Sequence, residues 1–365
     1  MQYRWNKSEL YFKYLLSYIY RNPNYRFTIA SLLKQYDLSH PKSHIEKYSL
    51  NEIECDFQLK KEYFYDCLQL VSEDVILKCQ NIYCEFEDVN YFKQDFKMPK
   101  RFFTVKELMR MLDDVIENIN NPDIARIYRD LSYPQKHTFN IQKGIKNSRG
   151  ELSISGMTIY DCLFHKNYIN ILREYNAQDF VTLTHETMHA IFNGLLYENG
   201  ISYEDQLLFT ELEGYFGSLV ASEYLDEIGY HQDARISRAS ILDSILFLSL
   251  ALIIGDIIFS SSNDQIDISK AIKNAELILP QDRFIDFRQD YESYMIFPAF
   301  DIIIDIIDYA SALELTTRPM NTTIKSIIDI KLHNNNDLEE SLKRHNISSL
   351  NDNFAILKKE FTRIK

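Results

Sequence analysis

Apolar residues recur at helical spacing along most of the chain. In residues 8–21 they fall at Leu10, Tyr11, Tyr14, Leu15, Tyr18 and Ile19, one face of a helix. Residues 27–36 and 61–83 repeat the pattern, while the polar interval 39–49, containing Pro41, reads as a loop. The run 103–118 is strongly amphipathic. Thr104 precedes it with Glu107 three positions on, the spacing of a capping box. Residues 123–131 form a further helix, and Tyr133-Pro134 breaks it. The period changes between 138 and 175. There Ile154, Met157 and Ile159 stand among Ser and Gly, and Tyr168, Ile169, Ile171 and Leu172 form a second short run, so β-structure is expected. Helical spacing returns around 180–193, with Gly194 as a stop, and again over 206–225, 236–259, 268–277 and 286–315. Pro280 and Pro319 mark breaks. The pattern predicts a mainly α fold with one small β-sheet. Met98-Pro99-Lys100 suggests a boundary between an N-terminal helical region, 1–97, and a larger domain, 98–365.

Composition narrows the function. At 365 residues and 45% hydrophobic, the chain can bury a large core. Its net charge of −13 argues against nucleic-acid binding. Five Cys, an odd number with no C-x-x-C pair, point to a reduced cytoplasmic protein. The first residues, M-Q-Y-R-W-N-K-S-E-L-Y-F, lack the apolar core of a signal peptide. The most apolar run, 244–255, is twelve residues long, too short to span a bilayer, so a buried core helix is expected there.

The candidate chemistry lies in D-F-V-T-L-T-H-E-T-M-H-A, residues 179–190. His185 and His189 are four apart, one turn of a helix, so both imidazoles can reach one metal ion. Glu186 points about 100° away around the helix and is placed to act as a base rather than a ligand. A third ligand in the metzincin pattern would need Gly and His where this chain has Phe192 and Leu195. A carboxylate is the other option. The next helical run offers Glu211 and Glu213, about 200° apart if both are helical, so one of them can face the metal. Spacing within that run does not choose between them. Gly214 and Gly217 would let it approach its neighbour closely. His40 and His44 share the i,i+4 spacing but sit in a loop without a carboxylate, and Cys162 has no pattern of a nucleophile around it. Asp301, Asp305 and Asp308 follow helical spacing and read as a solvated acidic stripe rather than a second metal site.

The segment D-F-V-T-L-T-H-E-T-M-H-A-I-F resembles the zinc-site segment of the oligoendopeptidase F and thimet oligopeptidase family. Weaker similarity extends over T-V-K-E-L-M-R-M-L-D-D-V-I-E-N-I, N-S-R-G-E-L-S-I-S-G, N-Y-I-N-I-L-R-E-Y and the tail from His333. The resemblance implies a multi-helix zinc metallopeptidase, with a small β-sheet beside the zinc helix, an edge strand that pairs with peptide, and a substrate groove. It implies Zn²⁺ held by His185, His189 and Glu213, with Glu186 as general base. In that family a Tyr- and His-rich segment stabilises the oxyanion. Here the corresponding stretch is D-Y-E-S-Y-M-I-F-P-A-F, which keeps Tyr291 and Tyr294, with Tyr294 slightly preferred, and lacks the His. Three readings follow. One is an endopeptidase for short or unfolded peptides, one a dedicated processing protease. The third, from another class, is a peptide-binding protein of the same fold that has lost turnover.

Overall fold

The computed structural model describes residues 73–86, 99–132, 139–143, 155–161, 166–201, 208–260, 299–333, 338–345, 347 and 350–364. The expected helices 8–21, 27–36 and 268–277, the loop holding His40 and His44, and Cys162, Tyr291 and Tyr294 lie outside these residues.

In chain order the described elements are α1 (Glu73–Phe86), α2 (Val105–Ile119), α3 (Pro122–Ser132), β1 (Phe139–Lys143), β2 (Gly156–Asp161) and β3 (Lys166–Arg173). Then follow α4 (Gln178–Glu198), α5 (Leu212–Glu227), α6 (His231–Ser260), α7 (Ala299–Thr316), α8 (Met320–Leu332), α9 (Leu338–Arg344) and α10 (Leu350–Ile364). The fold is mainly α, and the described strands form one three-stranded sheet of order β1-β3-β2. β1 runs parallel to β3 and β2 antiparallel to it, with Gly156 opposite Ile171.

Helix α2 starts as its sequence requires. Thr104 Oγ1 accepts from the Glu107 N–H at 3.2 Å, and Glu107 Oε2 accepts from the Thr104 N–H at 2.6 Å. Helix α4 is buried on nearly every face, from Phe180 and Leu183 to Ile191, Phe192 and Leu196. Such a helix belongs at the centre of a core, and each large side chain removed from water contributes about 1.5–3 kcal/mol. It packs on α5, β3, β2, α3 and α2. It also runs past Gly194, contrary to the expected stop, and ends at Asn199 before Gly200 at φ +72°. Gly194 serves packing instead, because a Cβ there would lie 2.9 Å from Ile127 Cγ2 on α3.

The apolar run near 250 lies within α6, which spans 30 residues. The length argument against a membrane span therefore does not hold, since residues 231–253 are long and apolar enough to cross one. Burial does agree with a core helix: 67% of an 18-residue apolar window within that stretch is buried, and α6 packs on α5, α1 and α7. Val75, Cys79 and Ile82 of α1, on the N-terminal side of the expected boundary, join the same hydrophobic core.

Candidate metal centre

Polar contacts at three levels fix α4 against the sheet and the turn before it. At its first turn, the Asp179 carboxylate accepts from the backbone N–H groups of Glu174 at 2.7 Å and Tyr175 at 3.1 Å, and pairs with Arg173 at 3.1 Å. A carboxylate there also suits the helix dipole. Just past its middle, Asn167 of β3 donates to the Ala190 carbonyl at 3.0 Å. Between these, Thr158 of β2 donates to the Glu186 carbonyl at 2.7 Å. The Glu186 side chain is buried, and it fits only because β2 begins with glycine. A Cβ on Gly156 would lie 2.9 Å from Glu186 Oε1.

The opposite face of α4 meets α5 at glycines. A Cβ on Gly214 would lie 2.6 Å from His185 Nε2 and from His189 Nε2, and one on Gly217 would lie 2.7 Å from Met188 Cγ. Both close approaches expected from the sequence are present. Tyr215 lies edge-on to His185, with ring centroids 5.7 Å apart, and meets Tyr309 in turn. Burial, then Asp305, Glu211 and Asp308, push the Tyr215 phenol well above its usual pKa.

Three donor atoms converge at this junction. His185 Nε2 is 3.0 Å from His189 Nε2 and 3.1 Å from Glu211 Oε2, and His189 Nε2 is 3.2 Å from the same oxygen. Zinc bonds of about 2.0–2.2 Å in tetrahedral geometry give a face with edges of about 3.3–3.6 Å. The observed triangle is a few tenths of an ångström smaller, so the donor set fits a small divalent cation.

The other ring nitrogens are occupied from α5. His185 Nδ1 lies 3.0 Å from Ser218 Oγ, and His189 Nδ1 lies 3.2 Å from Glu213 Oε1. An ionised carboxylate only accepts, so His189 Nδ1 carries a proton and a neutral ring turns its Nε2 lone pair toward the junction. Lone pairs and a carboxylate oxygen facing one another repel unless a cation lies between them. Without a metal, a proton can fill that role. Burial works against charge on His189, but Glu211 and Glu213 outweigh it and hold the imidazole well above its ordinary pKa. Burial likewise pushes Glu211 up, yet His189 and His185 prevail and hold it well below the usual carboxylate range.

The convergence departs from the expected ligand set. Glu213 does not reach the junction; its Oε1 faces the far side of the His189 ring and pairs with Lys331 Nζ at 2.9 Å. The reason is local. Glu211 precedes α5 instead of lying on it, at the end of a bent segment in which Phe209 takes φ +58°. The angular separation assumed for two helical residues therefore does not apply.

Asp308 also differs from the expected solvated stripe. It is fully buried and accepts from the Glu211 N–H at 2.8 Å. Burial holds its carboxyl well above the usual range, against the pull of that N–H and of Lys331. Ser218, Lys331 and Asp308 were not anticipated as part of the site. A lone Lys and a lone Asp within the apolar runs I-I-D-I-K-L and I-I-D-Y-A were the available signals.

No family model matches the chain, and no curated protein matches it. Solved structures do. One described as an oligoendopeptidase F superposes with a TM-score of 0.61 at 12% identity, over 93% of this chain and 67% of its own. PZ peptidase A with an inhibitor gives 0.58 at 11% identity, over 93% and 68%. A peptidase structure from Chlamydophila abortus gives 0.54 at 10% identity, over 93% and 63%. The chain thus has the fold of these peptidases and spans roughly two thirds of their length.

Proposed function

We propose that a chain with this peptidase fold is a zinc-dependent endopeptidase acting on short or unfolded peptides, and that His185, His189 and Glu211 hold the metal. The convergence of two Nε2 atoms and one carboxylate oxygen within 3.0–3.2 Å carries the reading. When bound, the cation lowers the pKa of a water and polarises the scissile carbonyl. Glu186, adjacent to His185 in sequence and braced by Gly156 and Thr158, takes a proton from the attacking water and delivers it to the leaving amine. Its burial excludes bulk water from that transfer.

Among the described strands β2 is an edge, and an extended peptide adding to it would run beside Glu186. Backbone pairing of this kind tolerates many side chains, which suits a peptidase of broad specificity. Tyr291 and Tyr294 are proposed for the oxyanion role, with Tyr294 the first to test. Residues 1–97 are proposed as an N-terminal helical region whose helix α1 packs into the same core as the rest. The buried free Cys79 and the odd cysteine count support a cytoplasmic setting.

Metal analysis of the purified protein, beside mass-spectrometric digestion of a mixed peptide pool, tests the proposal. Stoichiometric zinc with chelator-sensitive cleavage is expected. A folded protein that takes up no divalent metal and cuts no peptide removes it.

A further inference from the structure

We infer that Lys331 is a positioning residue for the metal centre, bracing both sides of Glu211 from a helix that supplies no ligand; the inference rests on the metal-site reading above. Lys331 is 1% exposed, on α8. Its Nζ donates to the Phe209 carbonyl at 3.0 Å and to Glu213 Oε1 at 2.9 Å. Phe209 stands two residues before Glu211, and Glu213 two residues after. One ammonium group therefore grips the short segment 209–213 at both ends.

Each grip has its own consequence. Phe209 has φ +58°, a conformation costly for a bulky side chain, so it persists where surrounding contacts enforce it. The hydrogen bond to its carbonyl is such a contact, and this bend is what directs Glu211 toward the histidines. On the other side, Glu213 Oε1 is shared between Lys331 and His189 Nδ1, while Glu213 Oε2 has no hydrogen-bond partner among the described residues. The one oxygen that orients the His189 ring is the one Lys331 fixes. With Glu213 fully buried, water cannot take over that role. A purely structural account would need Lys331 only to neutralise a buried carboxylate, and the bond to the Phe209 carbonyl would have no part in it.

The test is zinc affinity, measured by competition with a chromogenic chelator, alongside circular dichroism and thermal unfolding of the metal-free protein. Lys331→Met is expected to fold and to bind zinc 10–100-fold more weakly, the usual cost of losing an outer partner of a metal ligand. Combined with Glu213→Gln, it should lose less than the product of the two single losses, since both act on one segment. Unchanged zinc affinity in a Lys331→Met protein of lowered thermal stability overturns the inference. If Lys331→Met does not fold, Glu213→Gln decides. A 10–100-fold loss supports the brace, whereas a loss equal to that of Glu211→Gln makes Glu213 a ligand and overturns it. A folded wild type that binds no zinc fails at the earlier step, and removes the metal-site reading together with this one.

Discussion

Glu211 and Glu213 reach opposite nitrogens of the same ring: Glu211 Oε2 lies 3.2 Å from His189 Nε2, and Glu213 Oε1 lies 3.2 Å from His189 Nδ1. Two carboxylates separated by one residue thus take different parts. One completes a set of donors, and the other holds a donor in place. A carboxylate behind a ligating imidazole fixes its tautomer and raises its basicity.

The two glutamates should separate in a metal titration. Glu211→Gln is expected to weaken zinc binding well beyond the 10–100-fold loss typical of an outer partner. Inductively coupled plasma measurement of zinc after dialysis would check this. Full zinc occupancy in Glu211→Gln would contradict the assignment.

Glu186→Gln should keep the metal and lose turnover. A general base contributes roughly 10²–10⁴ in rate. The expected outcome is stoichiometric zinc with cleavage of a peptide pool reduced by at least that lower bound. If the wild type and Glu186→Gln are equally inert while both bind peptide, the peptide-binding reading replaces the hydrolase.

The stabilisation that zinc gives should grow with pH. The folded pKa of His189 is raised above its unfolded value near 6.5, so its ion pairs stabilise the metal-free fold fully below that pH. That contribution is lost as pH rises through the folded value. Glu211 and Glu213 are held low, so theirs is present above their ordinary carboxylate range and lost as pH falls through the folded values. A cation at the junction competes with the His189 proton and replaces it. Thermal unfolding with zinc and with chelator, from pH 5.5 to about 9, should therefore show a widening gap between the two curves. A gap that narrows toward alkaline pH would count against a shared site for proton and metal.

Gly214→Ala tests the close approach of α5. The added Cβ would meet three atoms of the two imidazoles at 2.6 Å, so helix or rings must shift. Overpacking of this kind costs about 1–3 kcal/mol, against a gain of about 1 kcal/mol in helix propensity. The expected result is a small net loss of stability with a clear loss of zinc affinity. Zinc affinity equal to wild type would show that the histidines do not depend on that contact.

The capping box at Thr104, the β-segment within 138–175 and the central helix were legible because each rests on local spacing. The one-turn spacing that lets His185 and His189 converge was legible for the same reason. Glu211 and Glu213 were both legible as candidates for the third donor, but the choice between them was not. That donor's placement depends on Phe209 bending the chain before α5 begins, and on Lys331, which is 118 residues from the Glu213 that it holds. Asp308 was misread because helical spacing records which residues share a face but not whether that face meets solvent. Here it meets the backbone of Glu211. A glycine at the end of an apolar run also reads as a terminator, whereas the missing side chain of Gly194 makes room for Ile127 on a neighbouring helix.

The alignment of β2 against β3 sets how much room the Glu186 side chain has. With Gly156 opposite Ile171, a hydrogen atom faces Glu186. A slip of one residue would turn the strand's faces over and bring a side chain to that place. If Glu186 is the proton acceptor proposed above, a peptide that tugged the outer strand along its axis would act directly on it through that one glycine.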